Sequence, residues 1–188
     1  MIIGDSMVGR VSGPKHQLRG GGHVTWSGEG GLRLGGLLDR VSRFLKSQRR
    51  PSTFLIHVGT YDLFNQDCIS SGVRSKVEEV LTSLRLYPGS RIIWSDILPR
   101  AFYWTANKQS AGKRCVASIK RHAHKVCTSL PDMHYIRHSL VFDHNDHSLY
   151  VYDFVHLSPK GKQILLNNWA NALEYFNNYP SEVEFTAQ

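Results

Sequence analysis

A serine hydroxyl becomes a useful nucleophile only when a base removes its proton. A histidine serves as that base only when a partner holds its tautomer and orientation. These residue types lie near the two ends of the sequence. Met1-Ile2-Ile3 reads as a short apolar strand that stops at Gly4-Asp5-Ser6, which puts the Ser6 hydroxyl at a strand terminus. Far downstream, Asp153-Phe154-Val155-His156 offers a base and a carboxylate to orient it, three positions apart and just ahead of a helix. The oxyanion that an attack on an acyl carbon develops needs donors, and glycine-lined turns after strands offer unobstructed backbone N–H groups. Ser6, Gly30 and Gly31 are candidates on that ground. The plainer alternatives are that Ser6 caps a strand-to-helix turn, that Asp153 is a loop residue and that His156 is a satisfied surface histidine.

The stretches between these residues must bring them together. His23-Val24-Thr25-Trp26 reads as a second strand after a loop through Gly20-Gly21-Gly22. Helical spacing follows at Leu34, Leu37, Leu38, Val41, Phe44 and Leu45. Phe54 to Val58 is apolar almost throughout, as a strand buried on both faces should be. Val73, Val77, Val80, Leu81 and Leu84 mark one face of a helix that must end by Pro88-Gly89. Ile92-Ile93-Trp94 is the fourth strand, Val116, Ile119, Ala123 and Val126 mark the next helix, and Met133 to Ile136 is the fifth strand. Ser158 as N-cap with Pro159 at the first helical position opens a final helix with Leu165, Trp169, Ala172, Leu173 and Phe176 inward. Strands alternating with helices in this way imply a parallel sheet with right-handed crossovers and helices on both faces. Ligands then sit at the carboxyl ends of the strands. The segments after strands one, two and three should therefore converge: Asp5-Ser6, Gly28-Glu29-Gly30-Gly31 and Gly59-Thr60-Tyr61-Asp62. The expected organisation is one domain over residues 1–178 and a polar tail, 179–188, that frays.

At 188 residues and 41% hydrophobic content, the chain can bury a substantial core and is neither disordered nor fibrous. No apolar run approaches the roughly 18 residues needed to cross a bilayer. Gly4-Asp5-Ser6 comes too early to leave room for the apolar segment of a signal peptide. The three cysteines, Cys68, Cys115 and Cys127, form no C-x-x-C pair and read as thiols in a reducing compartment. The expected location is intracellular, in the cytoplasm. Charge is the one anomaly: 23 Lys and Arg against 15 Asp and Glu leave a formal +8. Such a surplus favours encounters with nucleic acid or anionic lipid, although a merely soluble basic domain has the same composition. Lys113-Arg114, Lys120-Arg121-His122 and His124-Lys125 form a basic helix face, with Lys46, Arg49 and Arg50 as possible extensions.

Taken as ordered blocks, the residues resemble the SGNH, or GDSL-type, hydrolases. Gly4-Asp5-Ser6 closes the first strand, Gly30-Gly31 follows the second, His57-Val58-Gly59-Thr60-Tyr61-Asp62 follows the third, and Asp153-Phe154-Val155-His156-Leu157-Ser158 precedes the last helix. The resemblance covers essentially the whole chain. It implies a flavodoxin-like three-layer sandwich with a five-stranded parallel sheet, and hydrolysis of carboxylic esters through an acyl-serine without metal or other cofactor. By block matching, Ser6 is the nucleophile and first oxyanion donor, Gly31 the second donor (Gly30 if the register slips), and Asp153 and His156 complete the triad. Within the family the details look closest to the esterase-like domains in first open reading frame proteins of vertebrate LINE-type retrotransposons. That finer likeness rests on Val24-Thr25-Trp26, Trp94-Ser95-Asp96-Ile97-Leu98-Pro99-Arg100 and Asp153 to Ser158.

One block departs from the family pattern. Its third block usually reads Gly-x-Asn-Asp, with the asparagine amide as third oxyanion donor, and Tyr61 stands at that position here. Loss of one such donor typically costs about a hundred- to a thousandfold in rate. Tyr61 can donate through its phenol from a different position, and Asn65 is a distant substitute. The expectation is a serine esterase acting on acetyl, short acyl or lipid esters, of reduced activity if Tyr61 fails as a donor. The alternative is a weakened esterase-like domain kept as a basic module for nucleic acid or an anionic membrane. Asp143-His144-Asn145-Asp146-His147 has metal-ligand residue types but no distant second cluster, so a solvated loop and no metal site are expected. Phe102, Tyr103 and Trp104 could line an acyl pocket, touch a membrane or pack beneath their own loop.

Overall fold

Strands buried at successive positions, and so on both faces, set the architecture. In the computed structural model, which describes residues 1–11, 23–64, 70–100, 109–138, 142 and 145–187, the strands are β1 (Ile2–Gly4), β2 (Trp26–Gly28), β3 (Thr53–His57), β4 (Arg91–Ser95), β5 (Met133–Arg137) and β6 (Glu184–Thr186). The helices are α1 (Ser6–Val11), α2 (Leu34–Ser47), α3 (Ser70–Leu84), α4 (Gln109–Ser129) and α5 (Pro159–Asn178). The strands form one parallel sheet in the order β2-β1-β3-β4-β5-β6. Successive side chains of a strand point to opposite faces. Ile3, Phe54, Ile56, Ile92, Trp94 and Tyr135 accordingly pack with the inner faces of α2, α3 and α4. Ile2, Leu55, Ile93 and Ile136 pack on the other face with α1 and α5. The result is the expected three-layer α/β sandwich.

Two edges differ from the sequence expectation. The second strand, expected at residues 23–26, is Trp26–Gly28 in register with Ile2–Gly4. Ser27-Gly28 carries no apolar signal, but tertiary contacts select it. A Cβ on Gly28 would lie 2.1 Å from the Gly9 backbone nitrogen, so α1 crosses directly over this strand and excludes every side chain there. The polar tail does not fray: Glu184–Thr186 adds a sixth strand where five were expected. Its pairing is fastened by the Glu184 carboxylate, which accepts from Arg137 Nε at 2.5 Å and from His124 Nε2 at 2.8 Å. Gly20-Gly21-Gly22, Asn65, Cys68, Phe102, Tyr103, Trp104, Asp143 and His144 lie outside the described residues.

Beneath the carboxyl ends of β3 and β4, on the α5 side, runs a buried polar network. Ser95 Oγ meets His57 Nδ1, His138 Nε2 and Trp169 Nε1, each at 2.9 Å. With the Asn168 amide nitrogen donating to His138 Nδ1 at 3.3 Å, His138 carries its proton on Nε2 and donates to Ser95. Trp169 donates to the same oxygen, so the Ser95 hydroxyl hydrogen goes to His57 Nδ1. Burial first, and the charge of Lys120 second, push His57 down to about 4, so it stays neutral at neutral pH. Ser95→Ala would leave three buried polar groups without their common partner, and unsatisfied groups cost about 1–3 kcal/mol each. We expect a loss of about 3 kcal/mol in chemical denaturation. A loss below about 1 kcal/mol would show that the three groups do not depend on that oxygen.

Candidate active site

All strands being parallel, their carboxyl ends open on one face of the sheet. The turn after β1 is locked from several directions. Asp5 N–H donates to the His57 carbonyl at 3.2 Å, Gly9 N–H donates to the Asp5 carbonyl at 3.2 Å, and Asp5 Oδ1 caps α1 by accepting from Met7 N–H at 2.9 Å. Ser6 is thereby the first residue of a helix, half-buried, with its backbone N–H among those that a helix start leaves without an intrahelical acceptor. Gly4 permits this close seating, since a Cβ there would lie 1.9 Å from the His57 carbonyl oxygen.

The segment ahead of α5 delivers the partners. It is braced by Val151 N–H to the His156 carbonyl and Phe154 N–H to the Val151 carbonyl, both 2.9 Å, with Phe154 in the left-handed region at φ 55°. A non-glycine residue pays for that conformation, so the surrounding bonds over-determine it. Asp153 Oδ1 accepts from the backbone N–H of Val155 and His156 at 2.9 Å each. Its Oδ2 lies 2.6 Å from His156 Nδ1. Partial burial pushes the Asp153 carboxyl up, but the His156 ring and the two backbone donors outweigh it and hold the group at about 2. Asp153 is therefore ionised at working pH and takes the Nδ1 proton in a charge-assisted bond. The Nε2 lone pair of His156 then faces Ser6 Oγ at 3.2 Å. The Tyr61 hydroxyl also lies 3.4 Å from that oxygen. With Ser6 donating to His156, Tyr61 is left to donate to Ser6.

Ser6, Tyr61, Asp153 and His156, separated by up to 150 positions, thus form one hydrogen-bonded line. Gly30 and Gly31 occupy the neighbouring strand-end turn, exposed, where Leu32 N–H closes on the Glu29 carbonyl at 3.2 Å with Gly31 at φ 78°. Glu29 N–H reaches the Gly4 carbonyl at 3.0 Å and ties this turn to the Ser6 turn. Asp62, the last residue of the third block, is a cross-tie: its buried carboxylate accepts from Leu34 N–H at 3.0 Å and starts α2, whose own N-cap, Arg33, makes no side-chain cap.

Several neighbours of the site had no role assigned from sequence. Asp5 is fully buried, and Arg100, just beyond β4, is 2% exposed with its charge acting on Asp5. Tyr152, 92% exposed, and Phe154 flank Asp153 on the open face. Their signal was present, since two aromatics alternate with the Asp and His of the same block. The basic helix face is smaller than its composition suggested. Lys120 pairs with the buried Asp96 at 2.9 Å, His122 with Glu78 at 3.4 Å and His124 with Glu184 at 2.8 Å. Lys113, Arg114, Arg121 and Lys125 remain exposed. Among the described residues no group of three or more His, Cys, Asp or Glu could hold a metal ion, and no helix is long and apolar enough to cross a membrane.

No family model and no curated sequence matches the chain. Solved structures do match it. A member of the lipolytic G-D-S-L family from Veillonella parvula aligns over 94% of this chain and 96% of its own, with a TM-score of 0.72 at 14% identity. A GDSL-like lipase from Bacteroides thetaiotaomicron aligns over 93% and 86%, with a TM-score of 0.69 at 17% identity. Axe2, an acetylxylan esterase from Geobacillus stearothermophilus, aligns over 90% and 91%, with a TM-score of 0.67 at 18% identity. The fold is that of the GDSL-type hydrolases.

Proposed function

We propose that the protein is a serine esterase that cleaves carboxylic esters through an acyl-Ser6 intermediate. The observation that carries this reading is the line Asp153 Oδ2, His156 Nδ1, His156 Nε2, Ser6 Oγ, with spacings of 2.6 and 3.2 Å at the carboxyl end of a parallel sheet. The esterases and lipases among the solved structures of the same fold support it. In the first half-reaction His156 Nε2 takes the Ser6 proton while Oγ bonds to the ester carbonyl carbon. The tetrahedral intermediate then collapses, the C–O bond to the alcohol breaks, and His156 returns the proton to the departing oxygen. In the second half-reaction His156 deprotonates a water as it bonds to the acyl carbon, the bond from that carbon to Ser6 Oγ breaks, and His156 returns the proton to Oγ, which releases the carboxylic acid and free Ser6. Asp153 remains ionised throughout and steadies the imidazolium.

Developing charge on the carbonyl oxygen would meet the Ser6 backbone N–H and the turn at Gly30 and Gly31 as donors. Tyr61 takes the place of the usual asparagine. Its hydroxyl stands against the nucleophile itself, so we assign it a donor role at Ser6 Oγ and the oxyanion beside it. Tyr61→Phe, which keeps the ring and removes only the hydroxyl, should lower kcat on p-nitrophenyl acetate about a hundredfold with little change in KM. Unchanged kcat would remove Tyr61 from the reaction.

Small acetyl and short acyl esters are the substrates we favour. Activity on them by the native protein, lost in Ser6→Ala, tests the proposal. The alternative of a basic interaction module has Lys113, Arg114, Arg121 and Lys125 on α4, with Lys46, Arg49 and Arg50, as exposed charge among the described residues, and no geometry favours it over the esterase.

A further inference from the structure

The turn that carries Gly30 and Gly31 is clamped on both sides. Upstream, one side chain of α2, Arg40, bonds to three successive residues. Its Nε donates to Ser27 Oγ at 3.0 Å, its Nη2 to the Gly28 carbonyl at 3.4 Å and its Nη1 to the Glu29 carboxylate. Downstream, the Asp62 carboxylate holds Leu34 N–H at 3.0 Å, where α2 begins. Between the clamps, Glu29 N–H donates to the Gly4 carbonyl and Leu32 N–H to the Glu29 carbonyl, while Gly30 and Gly31 stay exposed with open space where a Cβ would stand. A guanidinium suits the upstream clamp because its donors form a rigid planar fork that reaches several acceptors at once, whereas an ammonium is a point charge. The Glu29 side chain is 44% exposed. Ion pairs so exposed contribute about 0–1 kcal/mol, so stability gives little reason for the arrangement.

We propose that Arg40 is a positioning residue: its three bonds fix the Gly30-Gly31 turn against the Ser6 turn, so that the backbone N–H groups of the glycine turn are held in place for the oxyanion. The inference rests on the esterase reading and deepens it with a group that acts through the turn. Donors stabilise a developing oxyanion most when they are fixed beforehand, because they then need no reorganisation as the charge forms. The pairing of Gly28 with Gly4 and the bond from Glu29 N–H to the Gly4 carbonyl do not depend on Arg40. Removing its side chain should therefore loosen the turn without detaching it.

Arg40→Gln tests this, since it removes the charge and the fork and keeps a polar side chain. On p-nitrophenyl acetate we expect kcat about tenfold below the native enzyme with KM within about twofold, because the donors engage the transition state more than the bound ester. That loss is smaller than the roughly hundred- to thousandfold effect of deleting a donor outright. The acid limb of kcat/KM should keep its midpoint, as the triad is untouched, and the thermal melt should stay close to native. Arg40→Lys, which keeps the charge without the fork, should recover only part of the loss. An unchanged kcat, a moved acid limb, complete recovery in Arg40→Lys or a variant that no longer folds each overturns the proposal. NMR order parameters of the Gly30 and Gly31 amides read the positioning without any ester. In Arg40→Gln they should fall from about 0.85 toward about 0.6, with that of the Ser6 amide unaltered. Coincident order parameters in the variant and the native protein overturn the proposal. A native protein that cleaves no ester counts against the esterase reading alone, and the order parameters then still decide whether Arg40 holds the turn.

Discussion

Ser6→Ala is expected to lower kcat/KM for p-nitrophenyl acetate by about a thousandfold or more and to abolish labelling by a fluorophosphonate at this position. Removing the nucleophile of a serine hydrolase leaves only the catalysis that binding and oxyanion donors supply. The substitution is well chosen because the position can bear it. Ser6 opens α1 but does not cap it, Asp5 does, and alanine is the best helix former. The hydroxyl contacts His156 at 3.2 Å and Tyr61 at 3.4 Å, both at the open face. Stability should therefore change by no more than about 0.5 kcal/mol, as for a substitution away from the core. The two measurements together separate chemistry from folding. Comparable turnover by the native protein and Ser6→Ala would sink the acyl-serine mechanism, because any residual hydrolysis would then belong to another group or to a contaminant.

Gly4→Ala, two residues away, should destroy the fold instead of the chemistry. The added Cβ would lie 1.9 Å from the His57 carbonyl oxygen, 2.9 Å from its carbonyl carbon and 2.6 Å from Val8 Cγ2. No side-chain rotation relieves a collision with backbone, so β1 would have to part from β3 and α1 would have to lift with it. Overpacking of a core by a methylene costs about 1–3 kcal/mol where neighbours can shift. A backbone collision inside a sheet exceeds that range, and total stability is only about 5–15 kcal/mol. We expect a loss above about 3 kcal/mol, read as a lowered denaturation midpoint or as insoluble protein. Gly35→Ala is the control: it faces open space in α2 and should be neutral or stabilising by about 0.5–1 kcal/mol. A Gly4→Ala protein as stable as that control would mean that β1 and β3 are not held as closely as described.

These two substitutions divide the Gly4-Asp5-Ser6 tripeptide into three roles. Gly4 allows the backbones to meet, Asp5 is buried and caps α1, and Ser6 carries the hydroxyl. Only the last role could be read from residue type. The same division holds in the third block, where Tyr61 reaches Ser6 while Asp62 turns away to start α2.

Local pattern alone determined much of this protein. The central strands β3, β4 and β5 are buried on both faces and therefore read as apolar runs. The inward stripes of α2 to α5 repeat at helical spacing. The cap of α5 sits where Ser158-Pro159 put it, with Ser158 Oγ accepting from Gly161 N–H at 3.2 Å. Element order then specified a parallel α/β sandwich, strand-end logic made Ser6 a candidate, and three-residue spacing ahead of the α5 cap made Asp153 and His156 candidates. Tertiary structure decided the rest. The edges β2 and β6 are polar or half-buried, so they carry no apolar pattern, and only pairing with β1 and β5 makes them strands. The Ser95 network, the burial of Asp5 and the inward turn of Lys120 toward Asp96 depend on groups from segments distant in the chain. Periodicity records which face of an element is buried, whereas hydrogen-bond partners and charge neighbours exist only once the elements have been packed together.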